Sequence, residues 1–308
     1  MKTLIKWLAF SLLLVGSCKS EKKSDPTSIV SGEKPVVYVS NYPIYFFASE
    51  IAGENIELRF PAAELSDPSV WNPVADTIAQ MQSADLILVN GASFESWLMN
   101  VSLPQQAVVN TSQEFSERLL SGGKTFTHSH GDEGEHQHEG TAFTTWLNLE
   151  LAAKQAESVK EALTRLHPEK KSVFEENYRK LAGDLMQLHK EFQHTVAGKN
   201  DKTMVFSHPV YQYLEDAYGI QGKSLHWEPD TPLDHDMLHE IGHLQKDHRI
   251  EYVIWEGEPL AENVEKLKKM GIQSVVITPM GGAADQTNFM EGMRKNLEAL
   301  KEVYGIRE

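Results

Sequence analysis

The sequence predicts an α/β protein with two lobes, each built on a mainly parallel sheet flanked by helices, and a long spine helix that joins them. Short β-branched runs alternate with amphipathic segments over residues 35–145, and the same alternation returns over residues 199–308. This alternation is typical of parallel sheets covered by helices. Residues 146–198 lie between the two lobes and have helical periodicity, which predicts a helical linker.

In the first lobe, Asn, Gly and Pro residues separate the apolar runs from the amphipathic segments. We predict strands at residues 36–39, 56–60, 86–89 and 107–109, and helices at residues 45–52 and 74–83. Residues 121–140 interrupt the pattern, because they are rich in Gly, Asp and His and offer only Phe126 for packing. We predict a mobile surface loop there.

The linker contains two predicted helices, residues 146–166 and 168–196, and Pro168 suits the first turn of the second. That second helix would be about 40 Å long, enough to run the length of the molecule. For the second lobe we predict strands at residues 203–206, 223–226, 252–255 and 274–277, and helices at residues 210–218, 233–246, 261–270 and 288–303.

The N-terminal residues 1–17 are predicted to be a signal peptide. Lys2 and Lys6 flank the start of an apolar run that is too short to span a bilayer. The sequence Val15-Gly16-Ser17-Cys18 resembles a bacterial lipobox, which predicts a lipid on Cys18 and a lipid-anchored protein of the periplasm or cell surface. Residues 18–34 are Ser-, Lys- and Glu-rich and predict a flexible, lipidated tether.

Composition limits the chemistry of the folded part. Cys18 is the single cysteine, so a lipidated chain has neither disulfides nor thiolate metal ligands. The net charge of −15 disfavours nucleic acid as a partner and favours cations. A metal site must therefore use His, carboxylate and water.

Several metal-ligating residues follow predicted strands of the second lobe. In parallel sheets, ligands bind beyond the carboxyl ends of the strands. His208, His226 and Glu256 stand at such ends, and imidazole and carboxylate are suitable Zn²⁺ ligands. We predict a metal site from these three residues, with Glu228 as a further ligand or outer partner.

Sequence motifs along nearly the whole chain resemble those of one family, the zinc- and manganese-binding solute-binding proteins of bacterial ABC importers. The matching stretches are residues 39–44, 51–53, 71–73, 84–91, 97–98, 144–148 and 205–208. The resemblance implies two lobes joined by a long helix and a non-enzymatic monomer that binds a divalent metal. It implies zinc as the transported ligand, with manganese, cobalt and nickel left open, and an ABC permease and ATPase as partners.

The family's usual ligand positions are largely substituted in this chain. The resemblance places the first three ligands at Ser69, Thr144 and His208, and the fourth near Thr278. Only His208 keeps a metal-ligating side chain. The site must then be biased toward the second lobe, or the predicted loop must supply the imidazoles of His128, His130, His136 and His138. That loop is also able to act alone as a weak zinc collector.

Two alternatives remain at this stage. His239-Glu240-Ile241-Gly242-His243 matches the H-E-x-x-H pattern of zinc peptidases. However, no third ligand follows at the expected spacing, and Leu238, Ile241 and Leu244 predict a buried stripe that leaves both histidines exposed. The other alternative keeps the fold but gives it a non-metal ligand or an accessory, regulatory role.

Overall fold

Two parallel four-stranded sheets form the centres of the two lobes. A computed structural model describes residues 34–122, 126–129, 135–138, 141–199, 202–283 and 288–306. The first sheet contains β1 (Val36–Val39), β2 (Glu57–Arg59), β3 (Leu86–Val89) and β4 (Val108–Asn110) in the order β2-β1-β3-β4. The predicted α/β class, with two lobes and a long helix between them, is confirmed.

The first lobe carries helices α1 (Tyr42–Ala52) and α2 (Ala75–Gln82). Helix α1 begins three residues before its predicted start, because Pro43 lies in its first turn and the Asn41 side chain accepts a hydrogen bond from the Ile44 amide. Proline and an Asn cap both favour a helix start, so Pro43 opens the helix.

The predicted loop at residues 121–140 contains regular structure. Strands β5 (Phe126–Ser129) and β6 (Glu135–His138) pair antiparallel, with His128 opposite His136. A two-stranded ladder satisfies backbone hydrogen bonds without apolar packing, so the lack of packing residues did not exclude strands here.

Helices α3 (Leu149–Leu166) and α4 (Lys171–Val196) form the linker, and a short 3₁₀ turn at Pro168–Lys170 precedes α4. The two helices pack against each other and against α1, and α4 also contacts the second lobe. Buried side chains of both lobes and both helices belong to one continuous apolar cluster. The lobes are therefore joined through a shared core.

The second lobe repeats the strand–helix order. Its sheet contains β7 (Thr203–Phe206), β8 (Gln221–Ser224), β9 (Ile250–Trp255) and β10 (Gln273–Val276) in the order β10-β9-β7-β8. Its helices are α5 (Gln212–Tyr218), α6 (His235–Asp247), α7 (Ala261–Lys269) and α8 (Phe289–Val303).

The segment that follows β10 contacts the first lobe. The Gly281 carbonyl accepts a hydrogen bond from the Tyr42 amide at 3.0 Å, and the Pro279 carbonyl accepts one from the Trp146 indole at 2.6 Å. A side chain at Gly282 would lie 2.4 Å from the Leu65 carbonyl oxygen. This close approach brings the loop that precedes Pro68 against the second lobe.

Candidate metal centre

The backbone of the second lobe continues its strand pairing past the ends of the strands. Ser207 donates to the Ile254 carbonyl at 2.8 Å, and Trp227 donates to the Ser207 carbonyl at 2.8 Å. These bonds hold the residues after β7, β8 and β9 side by side at the carboxyl edge of the sheet. His208, Glu228 and Glu256 are the next residues along these three segments.

A buried tryptophan precedes each of the two acids. Trp227 and Trp255 are 2% and 0% exposed, and their ring centroids lie 6.1 Å apart in the second core cluster. Because a side chain packed in the core fixes the backbone on either side of it, the tryptophans determine where Glu228 and Glu256 emerge from the core.

Three metal-ligating side chains converge at this edge. His208, Glu228 and Glu256 each offer one donor atom, and these atoms all lie within 4.8 Å of one another. The Nδ1 atom of His208 is 3.6 Å from Glu256 Oε1 and 3.7 Å from Glu228 Oε1. Zinc bonds of about 2.0–2.2 Å in a tetrahedral site place donor atoms about 3.3–3.5 Å apart. The two distances from His208 Nδ1 exceed this spacing by only a few tenths of an ångström.

The donor atoms lie between the protein interior and solvent. The side chains of His208, Glu256 and Glu228 are 10%, 23% and 38% exposed. Burial raises the pKa of Glu256 to about 8, and the negative charges of Glu228 and Asp67 add to that rise. A bound cation would remove this repulsion, so the electrostatics of the site favour positive charge.

Asp67 is a first-lobe residue that acts on the donor group of the second lobe. It caps the 3₁₀ turn Pro68–Val70, where its Oδ1 atom accepts a hydrogen bond from the Ser69 amide at 2.9 Å. Its exposed carboxylate acts on Glu256 across the two lobes. Asp67 was not among the predicted ligands, although it lies two residues before Ser69, a usual ligand position of the family.

His226 lies beside the donor group. Its ring meets that of His208 edge to face, with centroids 5.7 Å apart, and the residue is exposed overall. Partial desolvation lowers the pKa of His226, while the Glu240 carboxylate opposes that shift. The structure thus brings together His208 and Glu256 of the predicted trio, with Glu228 as the third donor and His226 packed on His208.

The remaining predicted site residues have different positions. His128 and His136 pair across the β5–β6 ladder, and His138 pairs with Phe126. His130 and the predicted lipidation site Cys18 lie outside the described residues.

The substituted ligand positions are used for internal hydrogen bonds. The Thr144 hydroxyl donates to the Val210 carbonyl at 2.6 Å. The Asn296 side chain holds both the amide and the carbonyl of Thr278, at 2.9 and 2.8 Å. Ser69 and Thr144 are 5% and 3% exposed, so both side chains are packed in the interior.

A catalytic HExxH motif lines a cleft, but this motif is open to solvent. His239, Glu240 and His243 on α6 are exposed, whereas Ile241 is fully buried. Within the described ranges, the group of three metal-ligating side chains that converges is His208, Glu228 and Glu256, and it includes no residue of this motif. A catalytic HExxH motif requires a third ligand, so this pair does not form a peptidase centre.

None of the helices in the described part of the chain is both long and apolar enough to cross a membrane.

Comparisons with known proteins agree with this architecture. The chain is 27% identical over 305 residues to the zinc-binding lipoprotein AdcA of Streptococcus pneumoniae, covering 94% of this chain and 58% of that protein. The chain therefore spans little more than half the length of that relative. It is 25% identical over 316 residues to the high-affinity zinc uptake system protein ZnuA of Bacillus subtilis, covering 96% of this chain and 95% of the relative.

Solved structures show the same fold. The metal-dependent lipoprotein YcdH from Bacillus subtilis superposes with a TM-score of 0.76 at 21% identity, covering 87% of this chain and 99% of that one. Zn(II)-bound AdcA from Streptococcus pneumoniae superposes with a TM-score of 0.75 at 22% identity, covering 90% of this chain and 59% of that one. The model of the family "ZnuA: Zinc-uptake complex component A periplasmic" matches residues 37–303, and the chain belongs to this family.

Proposed function

We propose that this protein captures Zn²⁺ outside the cytoplasmic membrane and passes it to the permease of an ABC importer, whose ATPase drives uptake. The observation that carries the proposal is the convergence of one imidazole and two carboxylates at the carboxyl edge of the second sheet. Relatives of this chain named as zinc-binding or zinc-uptake proteins support the choice of ion.

The donor set suits zinc as cargo. His208 supplies a nitrogen, and Glu228 and Glu256 supply oxygens, which Zn²⁺ accepts when no thiolate is present. Water completes a four-coordinate site, and the exposed Asp67 carboxylate adds attraction from the first lobe. A site with ligands on one lobe and an attracting charge on the other is suited to release, because lobe separation removes part of the attraction without breaking a bond.

The lipid anchor is part of the same proposal. Cys18 would hold the chain at the membrane surface, and residues 18–34 would tether the folded part near the permease. A tether raises the effective concentration of the carrier at its partner. We expect radiolabelled palmitate to be incorporated into the chain and to be lost in Cys18→Ala.

Zinc titration by calorimetry tests the metal centre. The full chain, purified without a histidine tag or chelator, should bind one Zn²⁺ with a Kd below about 1 µM. His208→Ala should weaken that binding at least about 100-fold, because loss of even an outer partner of a metal ligand costs about 10–100-fold. His194→Ala, which removes an exposed histidine of α4, is the matched control and should bind normally.

Two results would reject the centre. One is zinc binding weaker than about 1 µM in the unmodified chain, which would favour a non-metal ligand in the same fold. The other is unchanged affinity in His208→Ala, which would move the tight site elsewhere.

A further inference from the structure

Helix α6 carries a second set of histidines that the proposed metal centre does not use. His235, His239 and His243 recur every four residues and are all exposed. The opposite side of the helix is apolar, since Ile241 is fully buried in the second core cluster with Leu238 and Leu244 packed beside it. Residues four apart share one helix face, so the three imidazoles form a stripe along the solvent side.

Two of these imidazoles are already spaced as a chelating pair. The Nε2 atoms of His239 and His243 lie 3.2 Å apart, and the ring planes are inclined by 81° with centroids 4.4 Å apart. Metal–nitrogen bonds of about 2.0–2.1 Å require about 3.3–3.4 Å between donors at a tetrahedral angle and about 2.9 Å at a right angle. The observed spacing lies between these two values, so the separation fits an ion that replaces the hydrogen bond now shared by the two Nε2 atoms.

The surroundings of the pair favour a cation. Asp236 and Glu240 are exposed on the same helix, and the whole chain has a net charge of −15. Glu240 also acts electrostatically on His226, whose ring packs against His208. His235 stacks on His239 with centroids 6.2 Å apart and ring planes 13° apart.

We propose that His239 and His243 chelate a second divalent transition ion in an open, non-catalytic site on the outer face of α6. The two imidazole nitrogens are the protein ligands of this ion, and water fills its remaining coordination positions. Zn²⁺, Ni²⁺ and Cu²⁺ all accept this donor set. With two protein ligands and full access to solvent, the site should hold its ion at least about 10-fold more weakly than the three-ligand centre. The HExxH pattern thus supplies a binding pair on the surface in place of a peptidase centre.

Zinc titration past the first equivalent tests this site. The untagged full chain and its His239→Gln, His243→Gln and His194→Gln variants are each loaded with one equivalent of Zn²⁺. Each protein is then titrated with further Zn²⁺. Glutamine preserves helix propensity, and the substituted side chains of α6 are exposed, so folding should be unaffected. We expect each α6 variant to lose one weak equivalent and His194→Gln to keep it.

A spectroscopic measurement locates the same ion. In the zinc-loaded chain, substoichiometric Ni²⁺ should broaden the imidazole NMR signals of His239 and His243 before that of His194. Unchanged stoichiometry in both α6 variants would overturn the proposal, as would equal loss in His194→Gln or broadening that spares α6. The result is independent of the central site, because His208→Ala should abolish the tight step and leave the weak α6 step in place.

Discussion

The two sheets of this molecule share a strand topology but end in different chemistry. At the carboxyl edge of the first sheet, the residues beyond β1, β3 and β4 are Ser40, Asn90 and Thr111, all neutral. At the same edge of the second sheet, His208 and Glu256 follow β7 and β9. The same architecture thus carries a hydrogen-bonded network in one lobe and a group of metal-ligating side chains in the other.

The first edge satisfies its own polar groups. The Gln155 side-chain amide donates to Asn90 Oδ1 at 2.9 Å and to Thr111 Oγ1 at 3.1 Å, and it is fully buried. Glu95 accepts hydrogen bonds from the amides of Asn90 and Gly91. Burial raises the pKa of Glu95 to about 7, which these hydrogen bonds oppose. Such a saturated network rigidifies the edge and offers nothing to a ligand.

The second edge brings acidic side chains of both lobes close together. Glu256 lies near both Glu228 and Asp67, and its pKa is about 8. The side chains that line this edge are only partly exposed, so water compensates them incompletely. The two edges therefore differ in how they hold their acidic groups, which substitution can test.

The largest effect should come from removing Glu256 as a zinc ligand. Glu256→Gln should weaken zinc binding at least about 100-fold in calorimetry, since it replaces an anionic donor by a neutral amide. The matched control is Glu258→Gln, because Glu258 is exposed two residues away and is not one of the three converging donors. Equal losses in both variants would show that charge alone, and not ligation by Glu256, controls affinity.

Gln155→Leu should have its effect on folding instead. It leaves Asn90, Thr111 and Ser112 without a shared donor, and we expect a loss of about 2–4 kcal/mol in the free energy of unfolding. Zinc affinity of the folded protein should stay unchanged. Denaturant unfolding measures the loss, and Gln187→Leu on the exposed side of α4 provides the control. A changed zinc Kd in Gln155→Leu would contradict the separation of roles between the edges.

The smallest effect is the pH dependence of zinc affinity. Because the pKa of Glu256 is about 8 in the metal-free protein, zinc must displace its proton at lower pH. Protonation of Glu256 should weaken zinc binding by about tenfold for each pH unit below 8. Above pH 8 it should have no effect on binding. Calorimetry in buffers of different ionisation enthalpy should detect the released proton. Glu95→Gln should leave this slope intact, and a flat profile in the unmodified chain would refute the assignment.

The raised pKa also has a consequence for folding. A carboxyl group whose pKa is raised by folding stabilises the metal-free protein below its unfolded pKa, and this contribution is lost as pH rises through about 8. The same rule applies to Glu95 near pH 7 in the first lobe. Saturating zinc should reverse the loss at the second edge only.

Much of the architecture was predictable because it depends on local patterns. Apolar runs and helical periodicity predicted all eight lobe strands and the spine, with boundaries that differ by at most three residues. The proximity of His208 and Glu256 was predictable because the carboxyl ends of parallel strands lie at a common edge of the sheet. The hairpin at Phe126–Ser129 and Glu135–His138 was not, because its ladder depends on backbone pairing and not on an apolar pattern.

The sequence by itself determined the fold class, the lack of thiolate ligands beyond Cys18 and the positions of the strand-end acids and imidazoles. Only the tertiary structure decided which of them meet. It placed Glu228 with His208, left His226 packed beside them, brought Asp67 near Glu256 from the other lobe and set the Nε2 atoms of His239 and His243 3.2 Å apart. The reason is physical: hydrophobic periodicity specifies which face of an element is buried, but convergence of donor atoms within a few ångströms depends on how separate elements pack.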